Sequence, residues 1–220
     1  MKASRFEIEG KSPLLVALCF NLAAFSVTWL ICPPSYSTND DIFMSMIASG
    51  TVLAQEPTAF VVYLTLWIAY PLTALYRIAD WVPWYGVMLC ALHFTSHVVV
   101  TWHLLLSSPN RRSMLMGLTV MWACIGGAYA TGIHFTVVAM TCFFAAAVAI
   151  AVGWERDGWY RWCSIAAGTL LLLIACQLRI NAVFIAAIVS TPYLVLRHWR
   201  TKREALLTAG LLLFCLALGH

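Results

Sequence analysis

Residues Pro13–Cys32 read PLLVALCFNLAAFSVTWLIC, a charge-free apolar run, and Pro33-Pro34-Ser35-Tyr36-Ser37 leads from it into Thr38-Asn39-Asp40-Asp41. Twenty apolar residues in a helix rise about 30 Å, the thickness of a bilayer's hydrocarbon core. The two prolines stop such a helix, because proline supplies no backbone N–H and clashes with the preceding turn. Two adjacent carboxylates directly after a candidate membrane span have no explanation in core packing. The fold and the first candidate site are therefore both set out between residues 13 and 41. No small-residue cleavage signal follows the run, and Trp29-Leu30-Ile31-Cys32-Pro33 is a poor lipidation box, so it reads as an uncleaved first helix.

The remainder of the 220-residue chain repeats this pattern. It is 62% hydrophobic and only 10% charged, against about 25% charged in an ordinary soluble domain, and its mean hydropathy is +0.85. These values exclude a water-soluble globule and imply one polytopic helical membrane domain covering residues 1–220. The formal charge of +4 sits mainly in short loops. It therefore bears on membrane orientation and gives no reason to expect a nucleic-acid partner. The eight cysteines form no C-x-x-C pair and read as small buried hydrophobes.

Further apolar runs lie at about 58–76, 85–106, 113–130, 133–153, 160–177, 182–196 and 205–218, giving an expected all-α bundle of about seven to eight apolar helices. The last run is short for a span, as in a natural short form or a truncated fragment. Within the loop at 33–57, Thr38 or Asn39 is placed to cap a helix, with Asp41 as the acidic arm of a capping box and Gly50 as its end. Ile42, Phe43, Met46 and Ile47 make one face of this helix and Asp41, Ser45 and Ser49 a neighbouring one. That pattern predicts a juxtamembrane amphipathic helix.

Loop charge places Arg111/Arg112, Arg156/Arg161 and Arg197–Arg203 in the cytoplasm, together with the N-terminus and its Lys2, Arg5 and Lys11. The expected location is the plasma (inner) membrane, with Asp40, Asp41, Thr131–His134 and Leu178–Asn181 facing outward. Two full spans between Gly50 and Arg111 would contradict this. Either the 58–76 run or its neighbour is then re-entrant or lies partly in the interface, or the charge rule fails at one loop; Pro57 and Pro71 favour an irregular 58–76 segment.

Several residues are placed to carry chemistry. Asp40 and Asp41 sit at a helix N-terminus, whose dipole favours carboxylate; each can act as a base, hold a cation, or simply cap the helix. Arg179, in Gln177-Leu178-Arg179-Ile180-Asn181, can fork onto a phosphate or snorkel to water. His93 and His97 share a helix face and read either as a polar stripe or as a cofactor pair. His134 and Glu56 fall on the outward side with Asp40.

In their order these pieces resemble the GT-C superfamily of polytopic glycosyltransferases. The likeness is carried by Asn39-Asp40-Asp41 running to Ala48-Ser49-Gly50, and by Glu56-Pro57 with the aromatic run to Leu75-Tyr76. Pro83-Trp84-Tyr85-Gly86 before His93-Phe94, Ile133-His134-Phe135-Thr136, and Leu178-Arg179-Ile180-Asn181 extend it. The resemblance implies a shortened or partial member that moves a sugar from a polyprenyl-phosphate carrier to a glycan or protein acceptor at the outer membrane face. It makes Asp40 or Asp41 the base or the ligand of a divalent cation (Mg or Mn). It makes Arg179 the phosphate contact, with His134, Asn181, Glu56, His93 and His97 as further substrate-binding candidates. The alternatives are a transporter or flippase-like component, and a haem- or quinone-binding subunit using His93, His97 or His103.

Overall fold

The computed structural model describes residues 12–51, 56–108 and 110–198. Among these residues seven helices follow in order: α1 (Pro13–Ile31), α2 (Asn39–Ser49), α3 (Leu66–Ile78), α4 (Trp84–Ser107), α5 (Arg111–Thr131), α6 (Phe135–Trp154) and α7 (Trp159–His198). Among the described residues the only strands are β1 (Ser35–Tyr36) and β2 (Gly132–Ile133), which pair in parallel. The protein is thus all-α, as its composition requires.

Among the described residues five helical stretches are long and apolar enough to cross a membrane: α1, α4, α5, α6 and Trp159–Ser190 of α7. This is fewer than the seven to eight expected, and the shortfall has three sources. The 58–76 run is not among the five stretches, because its helix starts only at Leu66 and α3, with Pro71 inside it, has 13 residues, about 20 Å. The runs at 160–177 and 182–196 belong to one element, broken at Arg179 where φ is −163° and ψ is 98°. The run at 205–218 and most of the basic 197–203 loop lie outside the described residues, as do Lys2, Arg5 and Lys11.

Hydrogen bonds at the helix ends fix how the bundle is strung. At one end Tyr85 and Phe135 meet Asp41, Ser37 N–H donates to the Ile133 carbonyl, and Arg179 donates to the Thr136 hydroxyl. At the other end Arg156 donates to the Leu106 carbonyl, and the Arg161 guanidinium lies 5.2 Å from the centre of the Trp154 ring. α4 and α6 therefore run in the same direction. The α7 arm before Arg179 runs back against α6, and its 18 residues from Arg161 cover about 27 Å. Arg111 follows closely on the Arg156 end, so the arginines of two loops gather opposite Asp41. A 58–76 segment that stays out of the bilayer core would remove the conflict in loop charge.

α6 is the most enclosed helix, and small residues let its neighbours close on it. A Cβ at Gly168 would lie 2.7 Å from Ile150 Cγ1 and 2.9 Å from the Ala146 carbonyl oxygen. Ala139, Cys142, Ala145, Ala146 and Ala149 are all buried along α6. Where lipid tails are as apolar as the helices, close backbone approach and interhelical hydrogen bonds supply the cohesion. Asn21 provides one such bond, donating to Thr101 Oγ1 at 3.0 Å across α1 and α4.

Candidate functional site

Asp41 sits in the first turn of α2 and is fully buried. Its Oδ1 accepts from the Tyr85 hydroxyl at 2.9 Å and from the Phe135 N–H at 3.1 Å, and its Oδ2 accepts from the Thr38 hydroxyl at 2.7 Å. A buried carboxylate is tolerable only when its oxygens are satisfied in this way. The expected capping box is therefore absent: Thr38 occupies the N-cap but its hydroxyl serves the Asp41 carboxylate. The faces of α2 differ from expectation for the same reason. Asp41, Met44 and Ala48 point inward, whereas Ile42 and Phe43 are exposed. Gly50 ends the helix in the left-handed conformation as expected, at φ 77°.

Tyr36 reinforces this joint. Its hydroxyl donates to Ser45 Oγ at 3.2 Å, and its ring lies 5.8 Å from that of Tyr85. Burial pushes its pKa above the ordinary tyrosine value, which keeps the hydroxyl a neutral donor. Asp40, one position earlier on α2, is exposed.

Arg179 lies a short step away, connected through Phe135 and Thr136. The break in α7 places its guanidinium 4.7 Å from the Phe135 ring centre and 5.0 Å from that of Tyr63, with Nη1 donating to Thr136 Oγ1 at 2.9 Å. Tyr63 and Phe135 stack at 5.6 Å. His134 stacks on the other neighbour, its own Phe135, at 5.0 Å, while its Nδ1 accepts from Thr136 N–H at 3.0 Å. Tyr63 takes a φ of 71°, unusual for a residue with a side chain. Thr65 N–H then joins the Gln177 carbonyl at 3.3 Å, so the strap before α3 is tied to the end of the α7 arm. Cation–ring contact and one hydroxyl bond hold the arginine in place, and neither neutralises its charge.

The other candidates fall elsewhere. His93 and His97 lie in mid-bundle with ring centres 4.7 Å apart, inside an aromatic cluster of Phe25, Phe94 and Trp122. His93 Nδ1 also meets Thr141 Oγ1 at 3.3 Å, and His103 Nδ1 bonds the Val99 carbonyl at 2.7 Å. Asn181 is exposed just past the break. Glu56 lines a separate hollow with Arg77 and Asp80. The reading by residue type missed Tyr85, Phe135, Thr136 and Tyr63, which build the floor and walls around Asp41 and Arg179. Tyr85, Phe135 and Thr136 entered it only as neighbours within Pro83-Trp84-Tyr85-Gly86 and Ile133-His134-Phe135-Thr136, and Tyr63 carried no signal.

A divalent cation held by the protein does not fit this arrangement. Among the described residues no three His, Cys, Asp or Glu side chains converge. Both Asp41 oxygens already accept protein hydrogen bonds, which leaves Asp40 as a lone carboxylate, enough for Mg only where water and a substrate phosphate complete its shell. A groove of about 590 Å³ between α1 and α4 opens at the Asp41 end, walled by Leu22, Phe25, Trp29, Val87 and Phe94 and roofed by Pro34 and Tyr36. No protein-family model, no curated protein and no solved structure matches this chain.

Proposed function

We propose that this chain is a multi-pass membrane protein of the glycosyl-transfer type, acting on a sugar carried by a polyprenyl phosphate. The observation that carries the reading is Arg179, a guanidinium held at a helix break by two rings and one hydroxyl. A planar, permanently charged fork in that setting suits a phosphate. The apolar groove ending at Pro34 and Tyr36 adds a corridor for an isoprenoid chain. In this reading the acceptor hydroxyl attacks the anomeric carbon and its proton passes to a carboxylate. The carbon–oxygen bond to the carrier breaks, and polyprenyl phosphate leaves with its negative charge facing Arg179. Asp40 is assigned the proton, because it is exposed whereas Asp41 is fully buried and bonded to three protein donors.

The test is transfer from synthetic polyprenyl-phosphate sugars by the full chain in liposomes, followed as released polyprenyl phosphate. Arg179→Ala and Asp40→Asn are each expected to lower turnover by about 10²-fold or more, while Arg179→Lys restores part of it. Unaltered turnover in both variants, at matched protein level, would falsify the assignment.

A further inference from the structure

A second hollow, of about 780 Å³, lies where the C-terminal end of α2 meets the end of α3, bounded by Gly50, Glu56, Tyr76, Arg77, Asp80 and Trp81. Its backbone is set by short-range constraints. Gly50 takes φ 77°, and a Cβ there would fall 2.4 Å from the Glu56 carbonyl carbon, so the end of α2 and Glu56 are in direct main-chain contact. On the opposite wall, Ala79 N–H donates to the Leu75 carbonyl at 3.0 Å, and the Trp84 indole donates to the Ala79 carbonyl at 2.9 Å. This tight turn holds Trp81 out at its tip, with 84% of its surface exposed.

The chemistry of the walls narrows what the hollow takes. Trp81 offers a flat apolar face. Glu56 and Asp80 offer acceptor oxygens and Arg77 offers donors, so the rim serves both sides of a hydroxyl group. Two carboxylates against one guanidinium leave the rim net negative, which disfavours phosphates and other anions. Two carboxylates are also too few to hold a metal ion by themselves, and no third ligand joins them among the described residues. A membrane anchor would use the indole but has no need of the three charged neighbours. We infer that the hollow at Glu56, Arg77, Asp80 and Trp81 is a saccharide-binding subsite for a neutral glycan, with a sugar ring stacked on Trp81. Its volume is in the range of small-ligand pockets. Its assignment to the acceptor rests on the transfer reading above, whereas saccharide binding itself does not.

Saturation-transfer NMR on the full chain in uncharged phosphatidylcholine nanodiscs, with neutral cello-, malto- and manno-tetraose as probes, tests the inference. At least one tetraose is expected to take up saturation, strongest at the ring C–H protons. Trp81→Ala should weaken its affinity by about threefold to tenfold, Glu56→Gln should weaken it too, and Trp81→Phe should retain most of it. Trp159→Ala, an exposed tryptophan elsewhere, should change nothing. Failure of all three sugars to take up saturation overturns the inference, and so does equal binding by wild type and Trp81→Ala. Because the measurement uses no donor lipid, a tetraose that binds without any transfer would remove the transfer reading and leave this one standing.

Discussion

Asp41 and Asp40 are chemically identical neighbours with opposite expected behaviour. Replacing Asp41 by Ala leaves the Phe135 N–H without its carboxylate acceptor and the Tyr85 hydroxyl with only the weak Met44 sulfur at 3.8 Å, and each unpaired buried donor costs about 1–3 kcal/mol. Asp41→Ala is expected to lower stability by about 3 kcal/mol, and Asp41→Asn, which keeps one acceptor oxygen, by less. Asp40→Asn, on the exposed side of the same turn, should stay within about 0.5 kcal/mol of wild type. Thermal unfolding in detergent compares the three. Combining Tyr85→Phe with Asp41→Ala should cost less than the sum of the two, because both remove the same bond. Equal costs at positions 40 and 41 would mean that Asp41 is not a clasp. The sequence shows an acidic pair but not which member turns inward, since the groups that decide it come from 44 and 94 residues away.

At the scale of elements, the spans were legible because twenty apolar residues have few other uses, and their ends agree with the run boundaries to within a few residues. Two features were not. The break at Arg179 carries no proline or glycine. It follows from a cation that cannot remain in the apolar core and instead finds Thr136, Phe135 and Tyr63. The π-helical turn at Trp122–Gly126 is marked in the sequence only by the Gly126-Gly127 pair; there the Trp122 indole donates to Thr28 Oγ1 at 3.0 Å, and its ring lies so close over Gly126 that a Cβ would meet it at 2.8 Å. The seam between α6 and α7 gives the sharpest prediction at this level. Gly168→Leu forces a side chain against Ile150 and the Ala146 backbone, and overpacking of this kind costs about 1–3 kcal/mol. Gly117→Leu, where nothing lies within 4 Å of the added Cβ and helix propensity improves, should not lower the unfolding midpoint. Matching midpoints for the two variants would show that α6 and α7 are not closely packed.

Across the whole molecule, Asp40, Arg179 and the Trp81 hollow have a function only if they reach the correct side of the bilayer. The strand pairing of β1 with β2, the Asp41 clasp and the Arg179 stack draw one end of the bundle together, while Arg156 and Arg161 hold the loops at the other. Arginines left near short loops favour the cytoplasmic side, so the Asp41 end is expected to face away from it. The exposed Ile42 and Phe43 of α2 would then rest in the outer headgroup layer. Single cysteines at positions 39 and 112 in a cysteine-free background separate the two orientations, because both native side chains are exposed. In intact cells a membrane-impermeant maleimide should label position 39 at once, and position 112 only after permeabilisation. The reverse pattern would put the carboxylate and the guanidinium in the cytoplasm, where an acceptor at the outer face could not meet them. Labelling at both positions in intact cells would mean that the helices between them do not cross an odd number of times. In that event the short, proline-containing α3 would have to cross as well, against its length of 13 residues.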